Sequence, residues 1–414
     1  MSIEINALQE GFLMNITGMW MWPYSVRTRG AAKTVENCVR AGVTDIYFLT
    51  KGLEGTTAFH STLTPPDCER DLLQELLSEA HGQGIRVHAW FTSACDDHYK
   101  HLHPESGRCH LTRGKDRELI SLRDEGYLSY MKAVVRDVCR RYDVDGLHLD
   151  YIRYNHMLYG WDEQDLARYE KAGADAETLK AWMHKAFESE ERNLEPLLDA
   201  YRAGDKDLRA FAAVRRQDVW HFAKTMCDIA REEKPGIILS AALMPEGAYE
   251  DSAYADLHYG QSYEDAAKLY DFALPMAYSK AYEKDSAWVR YVAQRTLSFG
   301  LKTVMGLHAY EDGTGLQLDA DMDALRDVPV QGICLFREGA SVMAFEENGA
   351  VRLLNLLPDR VTRVILMGDE AETDIPVCIE PNRETEVPTS FPVRHLRVFV
   401  QEKEVSVWFV RKAK

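Results

Sequence analysis

The 414-residue chain predicts an α/β fold: a (β/α)8 TIM barrel with a helical insertion after its fourth strand and a small C-terminal β domain. Three observations predict it. Short apolar runs alternate with amphipathic stretches from residue 12 to residue 358. The runs number eight, which is what a closed parallel barrel needs. No Gly-rich phosphate loop follows the first run, as it usually does in a doubly wound dinucleotide sheet.

The elements follow in order. Residues 12–22 (FLMNITGMWMW) read as the first strand, 31–41 as a helix and 44–50 (TDIYFLT) as the second strand. Over 68–81, Leu72, Leu73, Leu76, Leu77 and Ala80 form the stripe of a helix that buries one face. The third strand is 85–92 (IRVHAWFT). A helix over 125–142 gathers Tyr127, Met131, Val134, Val135, Val138 and Tyr142, and leads to the fourth strand, 144–152 (VDGLHLDYI). Residues 214–233 read as a helix, followed by strands at 237–244 and 271–278. A helix at 285–298, a strand at 303–310, a helix at 319–326, a strand at 330–336 and a helix at 348–356 complete the barrel, which is taken as residues 1–358.

Two segments break this period. Residues 155–213 carry polar helical stretches between the fourth strand and its helix. An insertion at that point is expected over the C-terminal face, as a lid or wall. Residues 359–414 switch to β periodicity in VTRVILM, DIPVCIE, HLRVFVQ and VSVWFVR, the pattern of a small antiparallel domain.

Composition excludes several classes. Apolar residues make up 46% and charged residues 28%, which is ordinary globular usage. Lys and Arg number 49 against 66 Asp and Glu, a net charge of −17. Nucleic acid and anionic membrane are poor partners for such a chain, because phosphate binding runs on Lys and Arg. No uncharged run approaches the roughly 18 residues of a membrane span. The first residues, MSIEINALQEGF, place acids where a secretory signal has bases, so a cytoplasmic protein is expected. Eight cysteines without a CxxC pair suit reduced thiols, mostly small buried hydrophobes.

Reactive groups of such a barrel sit at the C-terminal ends of its strands. Those ends offer Trp20 and Trp22, Lys51, His88 and Trp90, then His148 and Asp150 with Tyr151 and Arg153 beyond. Later strands add Glu246, Tyr278, His308, Tyr310, Glu311, Arg337 and Glu338. Aromatic rings among scattered acids suit a sugar, since rings stack on sugar C–H faces and acids bind hydroxyls. In GLHLD, alternation sends His148 and Asp150 to one face. A carboxylate that ends an apolar strand is costly unless paired or used, and Arg153 is near enough to pair with it. Glycoside hydrolysis needs two carboxyl groups. Asp150 suits the nucleophile or base. Glu246, in ALMPEG, is the first choice for the acid, with Glu338, Glu311 and Asp96 as rivals. The loop CDDHYKHLHPESGRCH at 95–110 holds zinc-type ligands, but its spacing matches no standard site. Neither HExxH nor GxSxG occurs.

The segments VRAGVTDIYFLTKG, GIRVHAWF and YMKAVVRDVCRRYDVDGLHLDYIRY resemble the glycoside-hydrolase-like family 10 group, as do AVRRQDVWHFAKTMCDIAREEKPGIILSAALMP and YGQSYEDAAKLYDFALPMAY. The resemblance covers residues 12–340, and VDGLHLDYIRY is its most specific part. It implies a glycosidase-type barrel that acts on or binds an oligo- or polysaccharide, with no cofactor and no metal. The family's fourth-strand acid and following Arg fall on Asp150 and Arg153. Its third-strand His and Trp fall on His88 and Trp90, its Gln after the fifth strand on Gln261, and its sixth-strand Tyr on Tyr278. The chain departs from the pattern at Gln261-Ser262-Tyr263, where Gln-Asp-Trp is usual, at Asn155 in place of Pro, and at Lys51 in place of Arg.

The expectation is therefore a glycoside hydrolase with Asp150 and Glu246 as its carboxylate pair. Sugar contacts are expected from Trp20, Trp22, Lys51, His88, Trp90, Tyr151, Arg153, Gln261, Tyr278, His308 and Glu338. A carbohydrate-binding barrel without hydrolysis and a zinc hydrolase using the 95–110 loop are the alternatives.

Overall fold

The structure is a computed structural model that describes residues 15–187, 193–347 and 349–410. Residues 12–14 of the expected first strand and the N-terminal segment read for its charge lie outside the described residues. Eight parallel strands form one barrel. They are β1 (Ile16–Met21), β2 (Asp45–Lys51), β3 (Arg86–Thr92), β4 (Gly146–Asp150), β5 (Ile238–Leu243), β6 (Phe272–Pro275), β7 (Val304–His308) and β8 (Gly332–Phe336). Sequential strands are neighbours, and β8 returns to β1 with Ile16 opposite Gly332. Parallel bridges Ala273–Thr303 and Met276–Gly306 join β6 to β7. The fold is a TIM barrel.

The strands read as continuous apolar runs because side chains fill the barrel on one face and helices cover the other. Every residue of β4 and of β7 is buried. At Gly332 the backbones of β8 and β1 approach so closely that a Cβ would lie 1.8 Å from the Ile16 carbonyl oxygen. The covering helices bury the predicted stripes: Leu72, Leu73, Leu76, Leu77 and Ala80 in Leu72–Gly82, and Tyr127, Met131, Val134, Val135 and Val138 in Glu125–Arg141. Asp71 and Asp124 cap these helices by accepting bonds from the backbone N–H groups of Gln74 and Tyr127.

The insertion is helical, at Glu163–Lys171, Ala176–Phe187 and Glu195–Arg202. The helix expected over 214–233 is the latter part of a 28-residue helix, Lys206–Glu233, so the insertion runs unbroken into the barrel's outer layer. Its side chains form a separate apolar cluster with Trp161, Tyr169, Met183 and Phe211. Arg215, fully buried, fastens that cluster to the barrel through the carbonyls of His156, Tyr159 and His258. A hairpin, Gly107–His110 with Gly114–Ile120, also follows β3 and was not expected.

The helix expected over 348–356 is instead a strand. Residue 348 lies outside the described residues, and Ala350–Asn355 (β10) pairs antiparallel with Val342–Glu347 (β9). The C-terminal β region thus starts upstream of the expected boundary at 359. It continues as β11 (Val361–Met367), β12 (Glu372–Ile379), β13 (Glu384–Pro388), β14 (His395–Val400), β15 (Lys403–Val405) and β16 (Val407–Val410). One sheet has the order β13-β10-β9-β16 and the other β12-β11-β14-β15. Val342, Ala344, Val351 and Leu353 of the first sheet share a core with Val364, Leu366, Leu396 and Val398 of the second. Met343, Phe345, Leu354 and Trp408 join the main barrel core, covering the flank where the eighth helix was expected. Among the described residues, no helix is long and apolar enough to cross a membrane.

Candidate active site

The C-terminal ends of the strands surround a cavity of about 650 Å³. Asp150, the last residue of β4, stands on its wall and receives three donors. The Tyr151 backbone N–H donates to Oδ1 at 2.6 Å, and Arg153 Nη1 lies 3.3 Å from the same oxygen. Trp90 Nε1 donates to Oδ2 at 3.3 Å. Tyr151 holds a left-handed backbone (φ +54°) immediately after the strand, a conformation a bulky residue adopts only where its surroundings enforce it. Its ring carries the Arg153 guanidinium at 4.5 Å. Every one of these neighbours donates, which suits a carboxylate acting as nucleophile or base.

Below the mouth, β4 presents His148 on the same face. Trp20 Nε1 donates to His148 Nε2 at 3.1 Å. An indole only donates, so the proton of His148 sits on Nδ1, which reaches Ser240 Oγ at 2.9 Å. Burial, with the nearby His88, lowers the His148 pKa well below its usual value and keeps the ring neutral. Trp20 is thereby fixed in the cavity floor. Tyr278, which also lines the cavity, remains a neutral phenol, because burial and then the Asp150 charge push its pKa up.

Trp20, Trp22, Trp90, Asp150, Tyr151, Arg153 and Tyr278 therefore come together around one cavity, as their strand-end positions predict. The other expected residues lie elsewhere, each for a physical reason. His88 points to the barrel's N-terminal end, where its Nε2 meets Asp45 Oδ1 at 2.8 Å; in β4, a Cβ at Gly146 would lie 2.1 Å from its Nδ1. Burial raises the Asp45 pKa, yet hydrogen bonds from His88, Arg86 and Thr44 outweigh it and hold the group at about 2. Lys51 is fully buried and pairs with Asp96 at 2.9 Å. Gln261 ties two loops together, accepting from Met244 N at 3.0 Å and donating to the Ile152 carbonyl at 3.3 Å. His308 stacks on Tyr310 (4.2 Å, 9°) and bonds its carbonyl, and Tyr310 takes its place on the wall. Glu338 is buried against Arg29 and Ser25.

Glu246 lies on the turn Pro245–Ala248 after β5, outside the cavity wall. Tyr259 and Tyr282 donate to its two oxygens, each at 3.1 Å. Burial raises its pKa, against those two bonds and the charge of Arg153. Among the described residues of 155–213, none lines the cavity. The 95–110 loop scatters its ligand-type side chains: Asp96 binds Lys51, His103 lies near Glu105 and His110 abuts Tyr159. Among the described residues, no three His, Cys, Asp or Glu side chains gather as metal ligands would. Sequence reasoning passed over Tyr24, Leu53, Glu54 and Phe336, which also line the cavity. Phe336, the last residue of β8, was open to the same strand-end reading as Tyr278; Tyr24 lies on the short helix Pro23–Arg29, and Leu53 and Glu54 sit on a loop that carries no periodicity.

Residues 126–296 match the glycosyl hydrolase-like 10 family. The glycosyl hydrolase-like segment includes β4, the insertion, β5 and β6, and with them Asp150 and Glu246. No curated protein matches the chain in sequence. Among solved structures, the PgaB (BpsB) glycoside hydrolase domain from Bordetella bronchiseptica is similar at 14% identity, over 78% of this chain and 94% of that domain, with a TM-score of 0.62. The catalytic domain of a β-amylase from Paenibacillus polymyxa is similar at 10% identity over 78% of this chain and 92% of that one, with a TM-score of 0.53. A β-galactosidase from Marinomonas ef1 is similar at 14% identity and a TM-score of 0.53, over 78% of this chain and 54% of that one. At such identities the likeness shows the fold alone, a TIM barrel.

Proposed function

We propose that the protein is a glycoside hydrolase acting on an oligo- or polysaccharide, with Asp150 as nucleophile or as base for an attacking water and Glu246 as proton donor. The observation that carries this reading is Asp150 itself: a strand-end carboxylate, fixed by three donors, in a cavity walled by Trp20, Trp90 and Tyr278. The family match and the glycosidase-type fold support it.

The two carboxyl groups have different surroundings, which is how one site runs acid and base chemistry together. Asp150 faces N–H donors that stabilise negative charge. Glu246 is half-buried with a raised pKa, so it retains a proton to higher pH than an ordinary Glu and can pass it to a leaving oxygen. The aromatic walls hold sugar rings and keep water from the bond under attack.

A second reading, a carbohydrate-binding barrel without hydrolysis, is favoured by one observation: Glu246 stands off the cavity wall with both oxygens engaged by phenols. The Asp150→Asn variant separates the two. A hydrolase loses product release in that variant, whereas a binding barrel retains intact oligosaccharide in both forms and releases nothing.

A further inference from the structure

Part of the cavity is built by the segments that follow β1 and β2. Three of the large apolar side chains that remain exposed are gathered there: Trp22 at 38%, Tyr24 at 52% and Leu53 at 41%. Exposed rings collected in one groove mark a binding surface. Trp22 is braced, because the Arg337 guanidinium lies 3.5 Å from its ring centre. Arg337 itself is not on the cavity wall, whereas the Trp22 ring is and remains partly exposed.

The charges on this wall are specific. Arg27 pairs with Asp67 at 2.7 Å, and Arg153 pairs with Asp150 at 3.3 Å. Among the described residues, Glu54 is the wall carboxylate left without a cation. Its loop is anchored to the segment after β3, where the Asp97 and His98 N–H groups donate to the carbonyls of Leu53 and Glu54, each at 3.1 Å. Gly55 (φ +80°) packs so tightly there that a Cβ would lie 2.1 Å from Asp96 Oδ1. Glu54 therefore presents an acceptor from a pre-organised loop.

We propose that this part of the cavity is a second sugar subsite, in which Trp22 stacks on a ring and Glu54 selects a sugar that carries no acid group. The inference rests on the glycosidase reading and deepens it by naming the class of the second unit. An ionised carboxylate accepts hydrogen bonds and donates none, so it accepts from hydroxyl or amino groups and repels a uronic acid. The substrate then spans at least two rings, one beside Asp150 and one on Trp22.

The test uses the full chain carrying Asp150→Asn, titrated with tetrasaccharides of three kinds: glucose, glucosamine and galacturonic acid. The glucose or glucosamine chain is expected to bind at least about tenfold tighter than the galacturonic acid chain. Adding Trp22→Ala weakens that binding about tenfold. Adding Glu54→Gln instead narrows the discrimination against galacturonic acid. The proposal is overturned if the galacturonic acid chain binds tightest, if both added substitutions leave the affinities unchanged, or if none of the three chains binds. Release of product from aryl glycosides by the unsubstituted protein, lost with Asp150→Asn, tests the glycosidase reading by itself. The two failures are therefore distinguishable.

Discussion

Arg153 Nη1 lies 3.3 Å from Asp150 Oδ1, and the charge of the same guanidinium acts on the Glu246 carboxyl. One cation thus pairs with one member of the proposed carboxylate pair and acts through its charge on the other. It supplies a donor to the group meant to bear negative charge, and it limits how far the pKa of the other rises.

Replacing Arg153 by Met affects the two groups in different ways. Asp150 loses one of three donors, and kcat is expected to fall by about tenfold to a hundredfold. Glu246 loses a charge that lowers its pKa, so its pKa moves further above the usual Glu value. A proton donor with a higher pKa stays protonated longer, and the alkaline limb of kcat moves to higher pH. Comparing the pH profiles of the two proteins checks this. A profile that drops in height without moving assigns Arg153 to Asp150 alone.

Lys51 and Asp96 make a fully buried ion pair, and Asp96 also caps the helix Asp97–Leu102 by accepting from Tyr99 N at 2.7 Å. Lys51→Met strands a buried carboxylate and is expected to cost about 3–5 kcal/mol in urea unfolding. Combining it with Asp96→Asn returns part of that loss. The effect falls on stability and leaves the affinity of the folded protein for sugar unchanged.

Stability declines on the acid side in two stages. Burial depresses His258 from 6.5 to about 3, so the unfolded chain takes up that proton first. Stability is complete above pH 6.5 and falls as pH drops towards 3, by about 2 kcal/mol at about pH 5 for this group. Asp45 is held at about 2 against 3.8, so its contribution is present above 3.8 and is lost as pH falls to 2. Denaturant titrations at a series of pH values check both stages. His258→Asn removes that residue's share of the first stage, to which the buried neutral His148 also contributes, and leaves the second.

The barrel was legible in the sequence because its strands are buried on both faces and appear as largely apolar runs, as in GICLF of β8. The segment 350–355 (AVRLLN) misled for the opposite reason. Its apolar residues fall at helical spacing, and only pairing with Val342–Glu347 and Glu384–Pro388 makes it a strand. Alternation identifies which residues point into the barrel but not at what depth. His88 and Trp90 share a face of β3, yet His88 sits level with Tyr47 and Gly146 near Asp45, while Trp90 is level with His148 and reaches Asp150. Lys51 ends a strand as expected, but its side chain turns to Asp96 inside the protein. The Trp22 and Glu54 side of the cavity depends on how two loops fold against each other, which no local pattern records.

The central claim is that Asp150 performs the chemistry. The direct measurement is product release by mass spectrometry from a mixed library of oligosaccharides and aryl glycosides, with the wild-type protein and Asp150→Asn side by side. The substitution keeps the shape of the side chain and removes its charge. Product is expected from the wild type alone, with the two proteins unfolding at similar denaturant concentrations. Equal product from both proteins would contradict it and reduce Asp150 to the structural partner of Arg153.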